Sequence, residues 1–199
     1  MVGIKLKLNP RFEVFTGPMF GGKTTRLLAA LERYSYQNKN IILFKPKIDV
    51  RYSEESVVTH SGIKWNAKRK IFSKVIRVEN SAELTSYFNG FNEKHDIDIV
   101  AVDEVFMIEG SAAALIDIYK MGKTILVSSL QLSSSGEPYR EMIEILPWAT
   151  NIQICPAVCS VCGEDAFFTR KIAGGDEGKI EVGGSELYQP RCFSHYVKE

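Results

Sequence analysis

Two short segments of this chain carry residues that could grip and transfer a phosphoryl group. Gly17-Pro18-Met19-Phe20-Gly21-Gly22-Lys23-Thr24 fits G-x-x-x-x-G-K-[ST], and an apolar run at 12–15 precedes it. Glycines in such a loop let consecutive backbone N–H groups turn inward around a polyphosphate. Lys23 then reaches the β- and γ-phosphates, and the Thr24 hydroxyl is placed to ligate Mg²⁺. The second segment, Ile99-Val100-Ala101-Val102-Asp103-Glu104, is an apolar run ending in two acids. A buried strand of that kind delivers its terminal carboxylate to the edge of the sheet where the phosphates sit. Asp103 is expected on the metal side. Side chains alternate along a strand, so Glu104 is expected to face the other way, towards an acceptor, as a general base. Arg51, in Asp49-Val50-Arg51-Tyr52, is a candidate for neutralising charge on the transferring group; a solvated surface arginine fits the pattern equally well. The expected ligands are therefore a nucleoside triphosphate and Mg²⁺.

A different chemistry closes the chain. Cys159-Ser160-Val161-Cys162 and Cys192-Phe193-Ser194-His195 form paired knuckles, C-x₂-C and C-x₂-H, separated by residues 163–191. Two such halves complete a tetrahedron around Zn²⁺, and four protein ligands leave no open position, so the predicted zinc is structural. The four cysteines all fall between 155 and 192, a clustering that favours a metal site over a disulfide framework. Cys155 is read as a small core residue at a strand end, and His60 and His95 as surface residues.

These groups need a scaffold. Strands are predicted at Phe12–Thr16, 41–44, 75–78, 97–102 and 124–128. Helices are predicted at 24–37, at 82–93 capped by Asn80 or Ser81, and at 111–121. The alternation predicts an α/β, P-loop NTPase-like parallel sheet flanked by helices on both faces, over residues 1–154. Residues 51–70 read as a long loop or hairpin. After Pro156 the pattern changes. Glycines crowd in at 163, 174, 175, 178, 183 and 184, and short strand-like runs at 167–171 and 179–182 replace helices. Residues 155–199 thus read as a small zinc-binding, β-rich domain, with too little core to stand without a staple.

Composition narrows the class. With 199 residues, 45% hydrophobic and 25% charged, the chain suits one α/β domain with an appendage. A formal charge of +1 provides no basic field, which counts against a second reading, a zinc-ribbon ATPase acting on nucleic acid. The N-terminal residues are too few and too charged for a signal peptide, and no apolar run approaches a membrane span. A cytoplasmic protein is expected, with no membrane or nucleic-acid partner.

Together the motifs resemble the type II thymidine kinases, the P-loop, zinc-containing deoxynucleoside kinases of the cytosol. The resemblance runs from about Phe12 to Tyr196. It rests on the phosphate loop (the family usually has Ser where Gly21 stands), on Lys45-Pro46 followed by Asp49-Val50-Arg51-Tyr52, and on Thr59-His60. Gly183-Gly184-Ser185-Glu186-Leu187-Tyr188 before Pro190-Arg191-Cys192 resembles the family's lasso loop, which folds over the nucleoside. The resemblance implies transfer of the γ-phosphate of ATP to a deoxynucleoside 5′-hydroxyl, thymidine giving dTMP, in nucleotide salvage for DNA synthesis. It makes Glu104 the base and assigns Gly17, Met19, Gly21, Gly22, Lys23, Thr24, Asp103 and Arg51 to phosphate and metal. It carries the acceptor pocket onto Met19, Met107, Ser134, Tyr139 and Thr169, and onto Ile180, Val182, Gly183 and Tyr188 of the lasso region. A homotetramer and feedback by a thymidine triphosphate are likewise implied. Phe106 and Met107 stand where the family has Gln and an aromatic, and Ser134 where it has Phe. A third reading, a nucleoside-binding protein without turnover, is suggested by these departures and opposed by the retained Lys23, Thr24, Asp103 and Glu104.

Overall fold

The computed structural model describes residues 9–49, 73–174 and 182–197. Among them, six strands form one sheet: β1 (Phe12–Thr16), β2 (Ile41–Pro46), β3 (Ser73–Val78), β4 (Ile99–Val102), β5 (Thr124–Ser129) and β6 (Asn151–Ile154). Their order is β3-β2-β4-β5-β1-β6, and every pairing is parallel. The central strands are mainly apolar and buried along their whole length, as a sheet covered on both faces requires. Alternation sorts their side chains. Phe12, Val14, Ile42 and Phe44 join a cluster with Leu84, Phe88, Leu115 and Met142 on one face. Phe15, Leu43, Ala101 and Leu126 pack against Leu27, Leu28 and Leu31 on the other.

Those partners come from helices. Among the described residues, α1 (Lys23–Tyr36) is the helix that covers the second face. α2 (Ser81–His95), α3 (Ser111–Lys120) and α4 (Arg140–Ile145) supply the first. Of the two cap candidates for α2, Asn80 does the work: its side chain accepts the Glu83 N–H at 3.1 Å, a contact worth about 1 kcal/mol. Helix α4 and strand β6 were not expected from the pattern. β6 is exposed along its length and lies at the edge of the sheet beside β1, so its composition carries little burial signal. Strand 97–102 is shorter than expected, starting at Ile99.

Beyond β6 the chain leaves the sheet. β7 (Ala157–Val158) pairs with β8 (Asp165–Ala166), and β9 (Phe168–Lys171) pairs antiparallel with β10 (Tyr188–Arg191), before the short helix α5 (Phe193–Val197). Of the run 179–182, only Val182 is described, and it lies outside any strand; residues 51–70 are likewise outside the described residues. Among the described residues no helix is long and apolar enough to cross a membrane.

Candidate active site and metal centre

The phosphate loop leaves β1 and enters α1 through backbone that side chains resist. Gly17 has φ 145°, Gly22 φ 72°, and Phe20 a left-handed φ of 66°. Gly21 is constrained by space rather than by φ. A Cβ there would lie 2.2 Å from the Cys155 carbonyl oxygen, and one at Gly17 would lie 2.3 Å from the same atom. The chain just past β6 therefore excludes a serine at position 21 unless the backbone shifts. Lys23 is buried and folds its Nζ onto the Pro18 carbonyl at 2.7 Å, across the mouth of the loop. Arg26, one turn into α1, donates to the Gly21 carbonyl at 2.9 Å.

Both acids lie just past β4, next to the loop. Asp103 is buried and its Oδ1 accepts the Thr24 hydroxyl at 3.0 Å and also the Ser128 hydroxyl. Ser128, near the end of β5, in turn accepts the Glu104 N–H at 3.3 Å. The two acids have different backbone settings for a reason other than strand alternation. β4 has already ended at Val102, and Glu104 takes a left-handed conformation (φ 55°, ψ 51°) that opens a 3₁₀ turn over Val105–Met107. That turn brings the Phe106 ring to 4.3 Å from Tyr139, and Met107 is half-buried beside it. Burial, followed by the nearby Tyr188 and Glu104, pushes the Tyr139 phenol up to about 12, so Glu104, Tyr139 and Tyr188 share one neighbourhood.

The predicted metal ligands converge. The donor atoms of Cys159, Cys162, Cys192 and His195 all lie within 4.8 Å of one another. Cys162 Sγ is 3.7 Å from Cys192 Sγ, and His195 Nδ1 lies 3.1 Å from Cys192 Sγ and 3.8 Å from Cys159 Sγ. Sulfurs each about 2.3 Å from a tetrahedral Zn²⁺ would sit about 3.8 Å apart, so the donor set fits that ion. The first knuckle is closed by Gly163 N–H on the Cys159 carbonyl at 2.9 Å, with Gly163 at φ 79°. Burial opposes a Cys159 thiolate, but backbone N–H donors from Cys192, Val161 and Cys162 bring its pKa down to about 6. Cys155 stays outside the cluster. It is buried against Phe15 and α1, and burial raises its thiol pKa.

Of the remaining expected pocket residues, Thr169 is buried on β9 and accepts the Met19 N–H at 3.0 Å, tying the phosphate loop to the last part of the chain. Val182 and Gly183 are half-buried at the start of the lasso segment, where a Cβ at Gly183 would meet Leu187 at 2.3 Å. Ser134 is held through its carbonyl, which accepts the Tyr196 hydroxyl at 3.1 Å. Arg51 and Ile180, with Thr59-His60, fall outside the described residues.

The chain has recognisable relatives. The thymidine kinase family model matches residues 11–196. The chain belongs to the thymidine kinase family. It is 36% identical over 191 residues to the thymidine kinase of Thermococcus kodakarensis, covering 93% of each chain. It is 31% identical over 189 residues to that of Pyrobaculum aerophilum, covering 92% of this chain and 97% of that one. Among solved structures, an X-ray structure of the Legionella pneumophila ATPase DotB aligns with 79% of this chain and 43% of that chain, at 16% identity and a TM-score of 0.46. As a family member the chain is an enzyme that phosphorylates a nucleoside.

Three residues that sequence reasoning passed over matter in this thymidine kinase family member. Ser128 touches both acids, yet a serine in an apolar run carries no motif. Phe20, an unassigned position within the loop, packs against the small cluster of Ala157, Cys159 and Ala166, alongside Cys192. Arg26 closes the loop onto α1, and only its position shortly after Gly22 could have suggested this.

Proposed function

We propose that this enzyme transfers the γ-phosphoryl group of ATP to the 5′-hydroxyl of a deoxynucleoside, with thymidine as the default acceptor. The observation that carries the reading is the chain of contacts Thr24–Asp103–Ser128–Glu104 at the phosphate loop. It joins the Thr24 hydroxyl to the Asp103 carboxylate and, through Ser128, to the Glu104 backbone N–H, which supports a metal-side oxygen pair with a second acid one residue further on. In this reading the loop amides and Lys23 hold the β- and γ-phosphates, and Lys23 leaves the Pro18 carbonyl to do so. Thr24 and Asp103 fit Mg²⁺, which supplies charge neutralisation of the phosphate oxygens when bound. Glu104 takes the proton of the 5′-hydroxyl as that oxygen bonds to the γ-phosphorus, while the bond to the β-phosphate oxygen breaks and ADP leaves. Arg51 is assigned from sequence to the charge on the moving group.

Residues 155–199 are proposed to act as one appended unit, stapled by Zn²⁺ on Cys159, Cys162, Cys192 and His195, with the lasso closing over the nucleoside. Met19, Met107, Ser134, Tyr139, Thr169, Ile180, Val182, Gly183 and Tyr188 form the acceptor pocket in this reading. The packed Phe106–Tyr139 pair supports an apolar wall where the family aromatic is replaced. A homotetramer completes the proposal; sedimentation or light scattering at working concentration checks it. The decisive assay presents the four deoxynucleosides and uridine with ATP and Mg²⁺ and follows ADP. Thymidine is expected to turn over fastest. No ADP above background with any acceptor would end the kinase reading, and a faster purine would end the thymidine assignment.

A further inference from the structure

Glu141 is a charged residue, 7% exposed, for which the phosphoryl-transfer reading gives no role. A buried carboxylate is costly unless hydrogen-bonded, and this one is well supplied. Its Oε1 accepts the Gly110 N–H at 2.9 Å, and its Oε2 accepts the Ala112 N–H at 2.6 Å and the Ser111 hydroxyl at 3.1 Å. These donors form the start of α3, whose own N-cap residue, Gly110, has no side chain to do the job. No other residue fits there easily: Gly110 has φ 73°, and a Cβ would lie 2.6 Å from Ser81 Oγ. The cap therefore has to come from outside the helix, and it comes from α4.

That substitution of a distant cap for a local one joins two elements that border the site. Tyr139, immediately before α4 and two residues from Glu141, packs its ring on Phe106. On the α3 side, the Ser111 hydroxyl lies 3.2 Å from the Val105 carbonyl, one residue from Glu104. The segment from Glu104 to Gly110 is thus pinned at its start by Ser128 and at its end by Glu141. We propose that Glu141 is a positioning residue for phosphoryl transfer. Through α3 and Ser111, its carboxylate holds the 104–110 turn in the shape that aims Glu104 and sets the Phe106–Tyr139 wall. The proposal rests on the reading of that wall and of Glu104 as the acceptor side of the site.

The test uses the full-length enzyme with Glu141→Gln, Ser111→Ala, and Ile118→Val as a control buried in the same helix but away from the turn. Glu141→Gln keeps the volume and removes one acceptor. It is expected to lower kcat/KM for thymidine about tenfold or more, because small misplacements of reacting groups cost large factors, while the KM for ATP stays within about twofold. Ser111→Ala is expected to shift the same ratio in the same direction by less. Ile118→Val is expected to lower Tm without moving either KM. Glu141→Gln with reduced Tm but an unchanged acceptor ratio overturns the proposal, as does an equal rise in both KM values. Should Glu141→Gln fail to fold, Ser111→Ala decides by the same ratio. Calorimetric thymidine and ATP dissociation constants give this split even if Glu104 proves not to be the base, which separates the two failures.

Discussion

At the scale of single residues, the proposed reaction depends on a proton acceptor and on what aims it. Glu104 sits on a left-handed backbone position that a non-glycine residue adopts only when neighbours enforce it, and the Ser128 hydroxyl is one such neighbour. Glu104→Gln is expected to lower kcat by about a hundredfold or more with ATP affinity close to normal, as measured by ADP release and nucleotide titration. A wild-type kcat would remove Glu104 from the mechanism. Ser128→Ala deletes a hydroxyl that touches both acids in a fully buried position. It is expected to cost about tenfold in kcat, and an unchanged rate would mean the acids hold their places without it. Glycine at position 21 has its explanation at this scale too. The motif leaves position 21 free, but a Cβ there would lie 2.2 Å from the Cys155 carbonyl oxygen, so any side chain needs a shift of the backbone.

At the scale of elements, the strands and helices that carry the chemistry were legible because they are buried. β4 is an uninterrupted apolar run, β1, β2 and β5 are mainly apolar, and α1 and α3 repeat apolar residues at helical spacing. α4 has only six residues, and β6 is an exposed edge, so neither pattern has enough length or burial to be read. Helix α1 also carries an electrostatic link to β1. The Tyr34 hydroxyl donates to Glu13 Oε1 at 3.1 Å, and burial, then the charge of Glu13 and that hydrogen bond, push the phenol up to about 12. The unfolded phenol titrates near 10, so the folded state binds the proton more tightly. Its contribution is full below about pH 10 and is lost as pH climbs from there towards about 12. Tyr34→Phe is therefore expected to be less stable at neutral pH but to show a shallower decline in urea midpoint over that window. A slope equal to that of wild type would refute the linkage.

At the scale of the whole molecule, the metal centre and the phosphate loop are physically joined. Phe20 packs on the knuckle core and Met19 is bonded to Thr169, whose strand β9 pairs with β10 and leads into Cys192. Structural zinc sites contribute on the order of 10 kcal/mol to their units, so a Zn²⁺ held by these four donors would set the order of everything attached to it. Extracting it with a chelator is expected to raise the nucleoside KM several-fold and to lower Tm; an unchanged KM with the metal demonstrably gone would show the lasso to be independent of it. The sequence by itself determined the glycine-rich loop, the pair of acids, the paired Cys/His knuckles that converge and the parallel sheet, because each is written in residue type at short, regular spacing. Tertiary structure alone decided that a left-handed turn parts Asp103 from Glu104, that Ser128 bridges them, and that Glu141 caps a helix it does not belong to. Those contacts join residues distant in the chain or depend on backbone angles, and neither leaves a periodic trace in the order of amino acids.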